Sequence, residues 1–303
     1  MGDRYGQGSL TKDVQRSAAQ TPASGARASA FFALAFGLSW IFWVPFTIFA
    51  PPASSVLSGE GGSPVLLLQL LGNFGPSAAA IVLLALSGQR RELWALLKRL
   101  LPHRASPMLY ALVLFLPFVT LLPGLLYASL FADFSDVGLV LGGLLPALLT
   151  GLLISGPGEE LGWRGYALPR LQVAYGPLAA SLLIGVVWGV WHLPIWLWSS
   201  SSDGAAFVAQ FGLFVVDIGA FSVIFTWVYN HTGASMWMVV LLHAAVTASY
   251  NSILVLLGPA SVGTWIPSVL TTVSVCGAAV LVVALLGGRR AAARDPARDP
   301  RID

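Results

Sequence analysis

The sequence predicts an all-α, polytopic integral membrane protein of about eight transmembrane helices with an intramembrane polar site. Three observations carry that prediction. Of the 303 residues, 56% are hydrophobic and only 10% charged, whereas a soluble globular domain carries about 25% charged residues. The apolar residues gather into eight long segments, and a spanning helix needs about 20 of them. The Lys and Arg residues fall only in alternate connections between those segments. Secreted growth factors, nucleic-acid binders and cytosolic enzymes are excluded by this composition. The lipid bilayer is the expected surrounding, and no nucleic-acid partner is expected.

In chain order the segments are Ser29–Ala50, Val65–Leu86, Met108–Phe131, Val137–Ser155, Pro177–Trp198, Ala205–Tyr229, Ser235–Leu257 and Thr264–Leu286. Each is expected to be helical, because lipid offers backbone groups no other partner. Pro45, Pro76, Pro117 and Pro123 lie inside them and are expected to kink them. The break Asn73-Phe-Gly-Pro76 reads as a packing kink. The organisation is one membrane domain, 29–287, with its motif core at 156–247. It is flanked by disordered tails 1–28 and 288–303, the second carrying an Ala-Arg-Asp-Pro repeat. No secretory signal or large internal repeat is visible, and the lone Cys276 excludes a disulfide framework.

The basic residues set an expected orientation. Arg4, Lys12, Arg16 and Arg27 precede the first segment; Arg90, Arg91, Lys98, Arg99 and Arg104 separate the second and third; Arg164 and Arg170 separate the fourth and fifth; five arginines follow the eighth. The opposite connections carry none, so both termini are expected in the cytoplasm of a multi-pass cell-membrane protein. Arg90–Leu101 reads as an amphipathic interfacial helix, with Leu93, Trp94, Leu97 and Leu101 on one face and Arg91, Lys98 and Arg99 elsewhere. Fourteen arginines against two lysines, with abundant Ala, Gly and Leu, point to a GC-rich bacterial source.

Ionisable groups inside a bilayer are costly, so each is a candidate functional group. They are Glu159, Glu160, Arg164, His192, Asp217 and His243. Glu160 and Arg164 stand one helical turn apart with the acid first, the favourable order for a pair. Glu159 points about 100° away and is left available as a base. A bland interfacial charge cluster reads the same residues equally well. Trp188 lies one turn before His192 and can brace the imidazole or wall a site; a histidine bonded to a backbone carbonyl among interfacial tryptophans is the alternative. His243 stands in an apolar run with Thr247 one turn further along, suited to a site or to an interhelical hydrogen bond worth about 1 kcal/mol. Asp217 is a supporting hydrogen-bonding residue, a partner for Arg164 or a histidine, or the coupling acid of a transporter.

Two carboxylates and two histidines suit peptide hydrolysis without a covalent intermediate: a carboxylate deprotonates water, a histidine orients it, and donors stabilise the oxyanion. The same set can be met by no cofactor at all or by one divalent metal such as zinc, held by Glu159, His192 and His243. A His-Glu-x-x-His zinc motif, a rhomboid-type Gly-x-Ser-Gly and a Gly-x-Gly-Asp motif are absent from the sequence.

The order Glu159-Glu160-x-x-x-Arg164, then Trp188-x-x-x-His192, then His243 in a later segment resembles the CAAX protease and bacteriocin-processing family. This is also called the Abi family and includes the Ras-converting endopeptidases. The resemblance implies a glutamate-dependent intramembrane endopeptidase opening to the cytosol. It implies Glu159 as general base, Glu160 and Arg164 in support, His192 positioning water and His243 in the oxyanion site. Many members carry Asn four residues after that histidine, where this chain has Thr247, with Asn251 a further turn on. If the fifth span begins at Pro177, His192 lies about 22 Å along it while His243 lies about 12 Å into the seventh. The two then reach one depth only if that span starts later or the Glu-Glu helix re-enters. The expected substrate is a peptide or membrane-protein segment near the cytoplasmic face. The alternatives are a non-catalytic scaffold in bacteriocin self-immunity and a small transporter using Asp217.

Overall fold

The computed structural model describes residues 24–51, 65–130, 137–199, 204–261 and 265–291. The chain is all-helical there, with no strand among the described residues. The helices are α1 Ser24–Phe49, α2 Leu66–Gly72, α3 Gly75–Leu86, α4 Arg90–Lys98, α5 Pro107–Ser129, α6 Val137–Thr150, α7 Gly156–Glu160, α8 Leu168–Trp191, α9 Leu193–Ser199, α10 Gly204–His231, α11 Met236–Ser261 and α12 Trp265–Ala291. Two π-helical turns, Gly151–Ser155 and Leu161–Ala167, flank the short α7.

All eight apolar segments are helical where described. By length and apolarity, five described helices qualify as membrane crossings, or six with the α2–α3 pair, which is bent by 46°. The expected eight is therefore not reached on that criterion. One of the five, Gly142–Trp191, runs 50 residues and takes in most of both the fourth and fifth expected spans. At about 1.5 Å per residue it is far longer than a bilayer core of about 30 Å. It breaks at Gly176, where φ 75° and ψ 170° are non-helical and Pro177 follows. Glycine tolerates that positive φ, which other residues avoid. Of the expected tails, 1–23 and 292–303 lie outside the described residues, whereas α1 begins at Ser24 and α12 runs on to Ala291.

Helix α8 packs on α10, α10 on α12, α12 on α5, and α5 on α11; α11 also lies against α6 and the turn 151–155. Helix α1 packs on α2 and α3, and α3 covers the other side of 156–167. The segment carrying Glu159 and Glu160 is thus wedged between α11 and the bent pair. Glycines make the wedge possible. A Cβ on Gly151 would lie 2.5 Å from Ala244 Cα of α11, and one on Gly162 would run into the Pro76 carbonyl oxygen. Ser77 Oγ donates to the Pro157 carbonyl at 2.7 Å, so the Asn73–Pro76 break is a seat for this segment.

Helix α4 presents different faces from those expected. Leu93, Leu97 and Leu100 pack on the core, and Leu96 is buried against Gly165. Trp94 and Leu101 instead point outward at 64% and 66% exposure, beside the exposed Arg91 and Lys98. The inner contacts are made by leucines one turn apart, which leaves the indole on the cationic side.

Candidate active site

Four elements converge on one buried polar cluster. Glu159 and Glu160 end α7, Arg164 lies in the π-helical turn that follows, Trp188 is near the end of α8, and His243 is two turns into α11. Glu159, Glu160, Arg164 and His243 are all buried. Glu160 Oε1 accepts from Arg164 Nη1 at 3.1 Å and from His243 Nδ1 at 2.8 Å. The i,i+4 pair read from the sequence is therefore present, and the same oxygen also orients the imidazole. Glu159 Oε2 accepts from Trp188 Nε1 at 2.6 Å, and Glu159 Oε1 lies 3.7 Å from His243 Nε2.

One imidazole thus stands between two carboxylates, bonded to one and facing the other. With its Nδ1–H given to the Glu160 carboxylate, the opposite nitrogen is held towards Glu159. The 3.7 Å gap is too long for a direct hydrogen bond, but one water oxygen can sit within about 2.8 Å of both atoms. The Arg164 guanidinium lies over the Trp188 and Phe225 rings, 4.4 Å from each centroid. Its Nε and Nη2, and Glu160 Oε2, are buried without a hydrogen-bond partner among the described residues. Aromatic faces stabilise a desolvated cation, which is how the charge is kept here away from water.

His192 lies beside this cluster, against the same Trp188 ring as His243, and is hydrogen-bonded to neither carboxylate. Its Nδ1 pairs with the Trp188 carbonyl oxygen at 2.9 Å, and its ring is surrounded by Trp43, Trp188, Trp191 and Phe214. The depth mismatch between the two histidines is resolved at Trp188. The residue one turn earlier reaches Glu159, and His192 lies one turn beyond, so both histidines need not share a level. The expected ligand set of Glu159, His192 and His243 does not converge: no group of three His, Cys, Asp or Glu able to hold a metal occurs among the described residues. These residues do not fit a three-ligand metal centre.

Thr247 is half-buried beside Gly151, one turn beyond His243. Asn251 is exposed, and its side chain donates to the Thr247 carbonyl. Asp217 pairs with neither Arg164 nor a histidine. Its Oδ2 accepts from Tyr250 at 3.1 Å and Thr272 is in hydrogen-bonding reach, so it ties α10 to α11 and α12. Along that seam Phe221 meets Tyr250 and Phe225 meets His243 at 5.9 Å. Residues 217, 221 and 225 stand one turn apart on α10, and 243 and 250 two turns apart on α11. Phe225 was not singled out by the sequence; an aromatic in an apolar helix carries no signal of its own. The donor role of Trp188 was hidden behind the more conspicuous His192.

Comparison with known proteins places the likeness on this same stretch. Residues 141–249 match the model of a family described as type II CAAX prenyl endopeptidase Rce1-like. CAAX prenyl protease 2 of Methanococcus maripaludis is 35% identical over 95 residues, 30% of this chain and 35% of that protein. The match therefore spans about a third of the curated relative's length. The resemblance read from Glu159-Glu160-x-x-x-Arg164, Trp188-x-x-x-His192 and His243 is thus found independently, and the stretch that holds the whole carboxylate–histidine cluster is Rce1-like in sequence.

Proposed function

We propose that the chain is a membrane-embedded, glutamate-dependent endopeptidase that hydrolyses a peptide bond near the cytoplasmic interface. The observation that carries this reading is His243 held between two buried carboxylates, with Glu159 Oε1 and His243 Nε2 3.7 Å apart. Glu159 takes a proton from a water shared with His243. The resulting hydroxide adds to the scissile carbonyl, and the carbon–nitrogen bond breaks as the departing amine receives that proton. Glu160 and Arg164 set the imidazole, and Trp188 sets Glu159. In this assignment His243 takes the water-positioning role that the family resemblance gave to His192. His192 then buttresses Trp188 from one turn away.

The relative's name specifies prenylated CAAX ends. For this chain, the arginine-rich composition of a GC-rich bacterial source favours a leader peptide, a regulatory membrane protein or a bacteriocin precursor. Both termini are cytoplasmic in this reading, which puts the basic connections and the substrate on one side.

The test is cleavage of a peptide library by the purified full chain in detergent, comparing wild type, Glu159→Gln and His243→Ala with and without a chelator. Loss of cleavage in both folded variants, with no chelator effect on wild type, is the expected result. A Glu159→Gln variant that keeps full activity overturns it. Trp188→Phe removes the donor to Glu159 while keeping an aromatic ring. A hydrogen bond to a charged acceptor is worth about 1.5–3 kcal/mol, so kcat falls by roughly tenfold or more with KM little changed. Steady-state kinetics reads that split.

Asp217 gives the transporter reading its one observation, since Asp217 Oδ1 is buried without a hydrogen-bond partner among the described residues. Asp217→Asn keeps an acceptor for Tyr250. In the endopeptidase reading it leaves cleavage within about twofold, as expected of a replacement away from the reacting atoms. A transporter loses coupled uptake with the same change.

A further inference from the structure

Helix α4 takes no part in the chemistry above, yet it is fastened to the elements that carry it. Leu96 packs on Gly165, one residue after Arg164. Glu92 binds Arg170 Nη2 at 2.8 Å. The Arg99 side chain donates to the Tyr229 hydroxyl at 3.4 Å, near the end of α10. The Arg99 carbonyl accepts the Trp237 N–H at 3.0 Å, in the first turn of α11, the helix of His243. The outward side of α4 is of one chemical kind. Arg90, Arg91, Trp94 and Lys98 are exposed there, and Leu101 and Arg104 are exposed in the segment that follows the helix. The one acid between residues 88 and 106, Glu92, is turned inward to Arg170.

We propose that this outer face of α4 docks on anionic phospholipid headgroups, and that the docking steadies Leu161–Arg170 and the start of α11 around the site. A cationic face with no exposed carboxylate complements phosphate. Its indole and leucine are poorly placed in bulk water but suited to the headgroup boundary, where basic side chains extend towards the phosphates. The chain itself sets the depth. Helix α4 follows α3 after a turn at Gly88, and α5 begins at Pro107, so the helix is held at the end of two apolar helices. That position favours lipid over a soluble acidic partner. The docking stands on the α4 surface alone; its effect on turnover rests on the endopeptidase reading.

The test uses the full chain in phosphatidylcholine vesicles with and without phosphatidylglycerol. Two readouts are taken: cross-linking to photoactivatable phosphatidylglycerol or to its phosphatidylcholine analogue, and peptide cleavage. Each basic residue near an anionic surface favours association by roughly fivefold. The triple variant Arg90→Gln, Arg91→Gln, Lys98→Gln is therefore expected to lose at least roughly tenfold of the phosphatidylglycerol labelling. Its melting in detergent stays unchanged, because all three side chains are exposed. Wild-type turnover is expected to rise several-fold with phosphatidylglycerol, and that of the triple variant to stay flat. Glu92→Gln cuts the tie to Arg170 and is expected to keep the labelling but lose the rise. Equal labelling of wild type and triple variant, or by the two lipid probes, overturns the docking. Selective labelling with turnover indifferent to lipid overturns the steadying effect. Selective labelling without cleavage in any vesicle overturns the endopeptidase reading and leaves the docking standing.

Discussion

Replacing Glu159 by Gln abolishes nearly all cleavage while leaving the protein folded. An amide has the carboxylate's shape, and its oxygen still accepts from Trp188 Nε1, which now holds Glu159 Oε2 at 2.6 Å. What it lacks is basicity. General-base catalysis contributes about a hundredfold to ten-thousandfold, so the single-turnover rate falls within that range while KM changes little. Melting of the detergent-solubilised variant matches wild type, because burying a neutral amide costs less than burying an ion. The outcome separates three roles. A scaffold keeps its cellular phenotype with Gln at this position. A carboxylate of structural importance only shows a lower yield or melting temperature. A base shows neither, and loses turnover alone.

Arg164→Met is expected to act chiefly on the fold. Arg164 and Glu160 are fully buried and 3.1 Å apart, and the guanidinium is stacked on Trp188 and Phe225. Removing one partner of a buried pair typically costs about 3–5 kcal/mol, because the other charge is left uncompensated. The variant is expected to express poorly or to melt well below wild type. Adding Glu160→Gln removes the stranded charge and is expected to recover much of that stability, measured by thermal melting of all four proteins in a double-mutant cycle. Activity does not return with the fold, since an amide in place of the Glu160 carboxylate no longer offers a charged acceptor to His243 Nδ1. Equal stability of single and double variants would falsify the charge-pair account. The loss would then be assigned to the stacking of Arg164 on its two rings.

Much of this was legible in one dimension. The spacing of Glu160 and Arg164 implied their pairing, because four residues make one helical turn whatever surrounds it. The freedom of Glu159 from that pair followed from the same geometry. His243 stood out as an ionisable group amid apolar residues, and it is the group that joins both acids. Other features needed the third dimension. Trp188 and His192 lie on one face of one helix, so no periodicity decides which of them meets Glu159; the depth at which α8 lies against 156–167 decides it. Asp217 offers many partners on paper, and the packing of α10 against α11 and α12 selects Tyr250 and Thr272. Trp94 of α4 counts as apolar in a helical pattern, but the contacts of Leu93, Leu96 and Leu97 turn it outward.

Composition and local periodicity determined the solvent this chain requires, the helices it forms and the chemical kinds it can bring to a site. These depend on transfer free energies and on a fixed 3.6-residue turn, which neighbouring residues carry with them. Tertiary structure decided which side chains share a point in space. Glycines at 151 and 162 let the Glu159–Arg164 segment press against backbone on two sides. That close approach brings His243 and Trp188, distant in sequence, onto the carboxylates. Contacts of that kind arise from the packing of whole helices, and the residues that make them carry no local mark of where their partners will be.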